Sequence, residues 1–225
     1  MVMLKLSADD HARVSAAIAA AEAKSDGEII AIAADQSDAY HDVGLHYAVL
    51  VLFLVLAFFA IWPHQLELWW TRLMGWTSEP SMRQLLTLLL GFALLKFLVV
   101  LFILKWRPLR MLLTPGSTKT RRVRRRAVML FKTGAERRTI GRTGILIYLS
   151  MAERRAEIVG DEAITAVTTP ETWGEAMAAL LKDVKDGRPG DGIVAAVGLI
   201  GDVLATHFPK TSEDSNEIPD KLIEL

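Results

Sequence analysis

The chain has 225 residues, a formal net charge of zero and no cysteine. The absence of cysteine excludes disulfides, thiol catalysis and cysteine metal sites, and the balanced charge gives no global field that would attract nucleic acid. Hydrophobic residues make up 52% of the sequence, which is high for a soluble domain, and two segments account for much of that excess.

Residues 1–43 form the first part of a predicted soluble domain. Ser7 followed three residues later by Asp10 is typical of a capping box at the start of a helix. Apolar residues then recur at helical spacing until Ser25-Asp26-Gly27 ends the helix. The β-branched segment at 28–33 predicts a short strand. The N-terminus has no apolar segment with a small-residue cleavage site, so we expect no signal peptide.

Residues 44–106 predict a transmembrane hairpin with spans at 45–62 and 84–104. The first span is an uncharged apolar run of 18 residues, and its length of roughly 27 Å as a helix is close to the hydrocarbon thickness of a bilayer. The second has 21 residues and one charge, Lys96. Neither run has an amphipathic face, which argues against the alternative of buried core helices. Lys96 is an intramembrane charge and therefore a candidate functional residue.

The orientation of the hairpin follows from its flanking residues. The connector between the spans is rich in tryptophan, as membrane interfaces prefer, and Trp62, Trp69, Trp70 and Trp76 lie at or between the span ends. Residues 105–126 hold nine Lys and Arg and no acid. The positive-inside rule therefore places this stretch and both termini in the cytoplasm of a bacterial inner membrane.

The basic stretch also predicts contact with anionic lipid headgroups. The candidate lipid-contacting residues are Arg121, Arg122, Arg124, Arg125 and Arg126. No aromatic residues are interleaved with these arginines, so we do not expect a nucleic-acid partner. Another membrane protein is a second candidate partner.

Residues 107–208 predict the second part of the soluble domain, and residues 209–225 a polar tail. The basic stretch continues as an amphipathic helix, and the run of apolar residues at 145–149 predicts a strand buried on both faces. The turn at 151–153 leads into a more exposed antiparallel strand, and two helices follow. The fold class is therefore α/β, a small mixed-sheet sandwich with helices on both faces, interrupted by a two-helix transmembrane hairpin. Its first two strands should be parallel because a long crossover joins them.

Several motifs resemble the TPM domain, a family that includes a thylakoid-lumen acid phosphatase and many bacterial membrane proteins. Glu28 opens "EIIAIA", Gly144 opens "GILIYLS", a charged turn precedes "EIVGDEAI", and "GDVLATHFP" ends the last helix. The resemblance implies an α/β sandwich and, in some relatives, divalent-cation binding and weak phosphatase activity.

The acidic residues divide between the two ends of the predicted sheet. Asp35, Asp38 and Glu153 share the end next to the membrane hairpin, and Glu28, Asp161 and Glu162 share the other. Hard cations such as Ca²⁺ prefer carboxylate oxygens, and the resemblance favours the second group, so these three are the candidate metal ligands. Solvated or helix-capping carboxylates are the alternative.

No catalytic residues are recognisable in the sequence: it shows no nucleophilic triad, and its five histidines have no metal-ligand spacing. The leading hypothesis is therefore a membrane protein whose cytoplasmic TPM-like domain serves binding, assembly or regulation. A membrane-tethered, divalent-cation-dependent phosphatase is the alternative. A third hypothesis is a lipid-responsive regulator that acts through residues 121–126.

Overall fold

A computed structural model of the protein describes residues 6–75, 79–134, 143–211 and 221–225. The chain divides into two compact units. Unit 1 combines residues 1–39 and 116–225, and unit 2 consists of residues 40–115. The domain that surrounds the insertion is thus built from two separate stretches of sequence.

Unit 2 is helical throughout the part that the structure describes. Its elements are α2 (His41–Ile61), α3 (His64–Met74), α4 (Met82–Ile103) and α5 (Arg107–Leu113). The helices α2 and α4 coincide with the two predicted spans to within four residues at each end. The helix α3, which contains Trp69 and Trp70, was not predicted from the sequence. Trp76 lies outside the described residues.

The long helices of unit 2 expose apolar side chains over most of their surface. Phe53, Leu90 and Phe102 are 62%, 67% and 74% exposed, and α2 buries only Val43, Gly44 and Ala48. Water would solvate such a surface poorly. Three helices of the described chain are long and apolar enough to cross a membrane: α2, α4 and one helix of unit 1.

Unit 1 contains a four-stranded sheet and the helices that cover it. Its strands are β1 (Glu28–Ala34), β2 (Gly144–Ser150), β3 (Arg155–Gly160) and β4 (Leu222–Glu224). Its helices are α1 (Ala8–Glu22), α6 (Gly116–Gly134), α7 (Glu162–Val167), α8 (Gly174–Lys185) and α9 (Pro189–His207), with a 3₁₀ turn at Pro170–Trp173. The predicted capping box of α1 is confirmed, because Ser7 and Asp10 bond each other's backbone amides.

The strand order is β3-β2-β1-β4. As predicted, β1 pairs in parallel with β2, and β2 pairs antiparallel with β3. The mixed α/β prediction is therefore confirmed. The fourth strand was not predicted: β4 lies within residues 209–225, which the sequence indicated as a polar tail, and pairs in parallel with β1.

Helices cover both faces of the sheet. On one face, Ile29, Ile147 and Leu149 belong to a core that includes residues of α1, α8 and α9. On the other face, Ile30, Leu146 and Tyr148 pack against Val123, Ala127 and Phe131, which recur along the inner side of α6. Both faces of β1 and β2 are consequently buried, as their continuous apolar sequences predict.

The helix α9 is apolar because it belongs to this core. Ile193, Val197, Ile200 and Leu204 are all nearly inaccessible to solvent. At Gly201 an added Cβ would lie 2.6 Å from the Cβ of Ala21, so α1 and α9 approach each other more closely than a side chain at this position would allow. The third apolar helix is thus an interior helix of unit 1.

Candidate functional site

The two edges of the sheet carry different polar residues. Because β1 and β2 are parallel, their first residues share one edge, here called the amino edge, with the end of β3. Their last residues share the opposite edge, here called the carboxyl edge, with the start of β3. The chain enters unit 2 shortly after the carboxyl edge, since β1 ends at Ala34 and unit 2 begins at Tyr40.

The amino edge brings together two of the three predicted metal ligands. The Glu28 amide donates to the Thr143 carbonyl oxygen at 3.2 Å, and the Asp161 amide donates to the Gly144 carbonyl oxygen at 2.9 Å. Glu28 and Asp161, which are 4% and 5% exposed, are therefore held on either side of the start of β2.

The third predicted ligand is placed differently. Glu162 is exposed and is the first residue of α7, for which Asp161 is the N-cap residue. Within the described ranges, no three side chains of His, Cys, Asp or Glu are grouped so that they could hold a metal ion. Since Ca²⁺ takes six to eight oxygen ligands, the residues of this edge do not fit a ready-made calcium centre, and the metal site stays a prediction.

A further buried carboxylate lies near this edge. Glu22, in the last turn of α1, accepts a hydrogen bond from the Ile29 amide at 2.8 Å and is 7% exposed. The sequence contained the signal for its burial, because Glu22 follows Val14 and Ile18 at helical spacing on the inner side of α1. Its bond fixes α1 to β1.

The carboxyl edge holds a denser polar network, centred on Glu153. This side chain is 7% exposed and accepts hydrogen bonds from the Ser37 amide at 3.0 Å and from the Ser150 hydroxyl. The Ser37 and Tyr148 hydroxyls lie 3.0 Å apart. The loop after β1 is thus joined to β2 and to the turn before β3.

Burial raises the pKa of Tyr148, the negative charge of Glu153 adds to this effect, and the hydrogen bond with Ser37 opposes it. The phenol is therefore held in its neutral form. On the neighbouring strand, burial also raises the pKa of Glu157, with Arg124 acting in the opposite direction. Glu153 was placed at this edge from the sequence, whereas Ser37, Tyr148 and Ser150 were missed, because a hydroxyl residue in a loop or in a strand gives no signal of its own.

The first turns of α6 bring cationic groups to the carboxyl edge. Arg122 pairs with Asp38 at 2.9 Å, and Arg155, the first residue of β3, donates to the Thr120 hydroxyl at 2.6 Å. Burial and the adjacent Arg155 both lower the pKa of Lys119, and Glu153 partly offsets them. The edge thus combines hydroxyl groups, a buried carboxylate and several cations.

The arginines predicted to contact lipid are distributed around α6. Arg121, Arg124 and Arg125 are exposed, whereas Arg122 and Arg126 are half-buried. The half-buried pair faces the domain, since Arg122 bonds Asp38 and Arg126 interacts with Tyr148. Only the exposed three present their charge to a solvent-facing surface.

Lys96 lines an apolar cavity of about 330 Å³ within unit 2. Phe59, Trp69 and Phe92 form part of its wall, and the Phe92 ring stacks on Phe59 and meets Trp69 edge-on. No ion pair of Lys96 is present among the residues that the structure describes.

Comparison with known proteins agrees with this architecture. Residues 110–203, from α5 to α9, match the family model of the TPM domain. The chain carries a TPM domain. The matched region includes β2, β3 and α6, and the structure adds α1 and β1 from before the insertion and β4 from after it.

A solved structure has the same fold as this chain. The NMR structure of the BA42 protein from the psychrophilic bacterium Bizionia argentinensis superposes with a TM-score of 0.57 at 18% sequence identity. The match covers 100% of this chain and 99% of that protein. No curated protein matches the chain in sequence. At this level of identity the similarity supports the fold and says nothing about activity.

Proposed function

We propose that this is an integral inner-membrane protein, anchored by α2 and α4, that presents its TPM domain to the cytoplasm as a binding or assembly module. The observation that carries the proposal is the way the domain is interrupted. The chain passes from unit 1 to unit 2 after Ala39 and returns to unit 1 at Gly116. Segments from before and after unit 2 nevertheless pair in one sheet, where Glu28 lies opposite Gly144. A domain of this kind requires both connections to emerge on one side of the membrane, and a two-span hairpin provides that.

The choice of two spans rests on burial. In the 18-residue apolar stretch of each helix that is long enough to cross a membrane, 17% of α2 and 6% of α4 is buried, whereas 50% of α9 is buried. The close contact of α9 with α1 at Gly201 assigns it to the domain interior. The basic residues that follow α4 favour the cytoplasmic side for the domain.

Exposed arginines on α6 support a role close to the membrane surface. Arg121, Arg124 and Arg125 project from the first half of the helix, which begins directly after unit 2. Each such residue contributes about 1 kcal/mol to binding when it lies near an anionic leaflet. Anionic lipid and a second membrane protein are the proposed partners.

Co-purification from native membranes tests whether the TPM domain binds a partner. The tagged full-length protein, extracted in mild detergent, should retain a partner at a reproducible ratio, whereas an unrelated two-span protein treated in the same way should not. Recovery of no partner above that control would contradict the proposed binding role.

A membrane-tethered, divalent-cation-dependent phosphatase is the second candidate. It is favoured by the two buried carboxylates, Glu28 and Asp161, on either side of the start of β2. Calorimetric titration of the full-length protein with calcium should then show saturable binding that Glu28→Ala and Asp161→Ala weaken. Glu171→Ala, at an exposed acid of the 3₁₀ turn, is the matched control. Absence of saturable binding would exclude this candidate.

A further inference from the structure

Two cations at the carboxyl edge are held next to each other by the packing of α6 on β3. Arg155 donates from Nη1 to the Thr120 hydroxyl at 2.6 Å, and its Nη2 lies 3.3 Å from the point where a Cβ on Gly116 would stand. The guanidinium therefore packs against the first turns of α6, which also carry Lys119. Lys119 follows Gly116 by three residues and precedes Thr120, so it lies on the side of α6 that Arg155 contacts.

No carboxylate is bonded directly to either cation within the described residues. In the part of the chain that the structure describes, neither Lys119 nor Arg155 forms an ion pair, and the buried Nε of Arg155 has no hydrogen-bond partner. Glu153, whose oxygens accept from Ser37 and Ser150, is the acid whose charge reaches Lys119, and it offsets only part of the effect of burial and Arg155. Arg122, a few residues further along α6, is by contrast paired with Asp38.

Two adjacent, half-buried cations without a counter-ion destabilise a fold, both by desolvation and by mutual repulsion. Burial and Arg155 lower the pKa of Lys119, which is the expected sign of that unfavourable environment. An anion bound between the two groups would relieve both effects. The adjacent cations Lys119 and Arg155 are therefore explained more simply as a binding site for an anion than as residues that stabilise the fold.

The chemistry of the pair indicates which anion. A guanidinium offers a planar fork of donors and an ammonium offers a compact charge, and together they suit an oxyanion with several acceptor oxygens. The Thr120 hydroxyl accepts from Arg155 and donates to the Gly116 carbonyl oxygen at 3.2 Å, so Thr120 positions the guanidinium. We propose that Lys119 and Arg155 bind a phosphate group at the carboxyl edge of the TPM domain.

Two sources can supply that phosphate. A soluble phosphate ester or inorganic phosphate would reach the site from the solvent. A phospholipid headgroup is the second source, because Lys119 lies three residues after Gly116, where the chain returns from unit 2. The lipid version rests on the proposed membrane anchoring, whereas the soluble version does not.

The test uses the full-length protein in phosphatidylcholine nanodiscs, titrated with inorganic phosphate and followed by calorimetry. A second arm replaces increasing fractions of the lipid with phosphatidic acid and reads binding from a saturating rise of the thermal unfolding midpoint. The variants are Lys119→Gln and Arg155→Lys. Lys132→Gln is the matched control, because it removes one charge from an exposed position of the same helix that is not among the proposed lipid-contacting residues.

We expect saturable binding in at least one arm, weakened about tenfold or more by Lys119→Gln, which corresponds to about 1.4 kcal/mol. Arg155→Lys should weaken it as well because it keeps the charge but loses the fork, and Lys132→Gln should leave it unchanged. Binding in the first arm identifies a soluble phosphate site, and binding in the second alone identifies a headgroup site. Absence of saturable binding in both arms, or equal binding by wild type and Lys119→Gln, would overturn the proposal.

Discussion

Glu28 lies directly opposite Gly144 in the parallel pairing of β1 and β2, although the whole of unit 2 separates them in the chain. The central pair of the sheet therefore forms only after the chain has passed through both long apolar helices. Folding of the TPM domain is in this way coupled to the synthesis of unit 2, since its first helix and strand are made before unit 2 and its remaining elements after it.

The packing of α9 can be tested at two of its glycines. Gly201→Ala should destabilise the protein by about 1–3 kcal/mol through overpacking, because the added Cβ would come within 2.6 Å of the Ala21 Cβ and 3.3 Å of its Cα. Gly198→Ala, three residues earlier in a position with no atom within 4 Å, should stabilise it by up to about 1 kcal/mol through helix propensity.

Thermal unfolding of the full-length protein in detergent measures both effects. Opposite shifts of the unfolding midpoint are expected. If both variants were stabilised, α9 would not lie against α1, and its assignment as an interior helix would be wrong.

The C-terminal strand makes a second testable contribution. The Asp35 amide donates to the Leu225 carbonyl oxygen, and the Leu225 amide donates to the Ala33 carbonyl oxygen, each at 3.0 Å. Deletion of residues 221–225 should therefore speed hydrogen exchange at the Asp35 amide by about tenfold or more. It should also lower the free energy of unfolding by about 2 kcal/mol, because the buried Leu222 is lost.

The other side of β1 supplies the control for that experiment. The Ala152 amide donates to the Asp35 carbonyl oxygen at 3.0 Å, and its exchange should change far less than that of Asp35. An Asp35 amide that exchanged equally slowly in the truncated and full-length proteins would show that β4 does not protect the edge.

The raised pKa of Tyr148 predicts an alkaline loss of stability. In the unfolded chain the phenol ionises near pH 10, whereas the folded domain keeps it neutral to higher pH because it is buried. Its contribution is therefore complete below about pH 10 and is lost as the pH rises through the folded value.

Tyr148→Phe should remove that component, so the unfolding midpoint of the variant should fall less steeply above pH 10 than that of the wild type. Absorbance of the phenolate in the near ultraviolet provides an independent reading: the wild type should show a late titration that the variant lacks. Identical pH profiles for the two proteins would contradict the burial of this hydroxyl.

The sequence predicted those parts of the fold that depend on local pattern. The continuous apolar runs of β1 and β2 and the alternation in β3 were sufficient for the three central strands and their directions. The strand β4 was missed because Leu222-Ile223-Glu224 is too short to give a period, and it pairs with a strand almost two hundred residues earlier. The amphipathic α3 was read as part of a connector because its tryptophans indicated an interface.

The candidate sites were predictable to a lesser extent, because they depend on which elements meet. Strand direction alone was enough to place Glu28 and Asp161 at one edge. The alternative of solvated or helix-capping carboxylates describes Glu162, which is exposed in the first turn of α7. The meeting of Lys119 with Arg155 depends on the packing of α6 against β3, which inner residues such as Val123 and Phe131 determine, so the cation pair became visible only in three dimensions.

The topology of the membrane anchor is the central claim, and reporter fusions test it most directly. A reporter active only in the periplasm is fused to the C-terminus after Leu225, and the same reporter is inserted after Glu79 between the two spans as a matched positive control. We expect activity at the Glu79 site and none at the C-terminus, because two spans return the chain to the cytoplasm. Activity of the C-terminal fusion would contradict a cytoplasmic TPM domain.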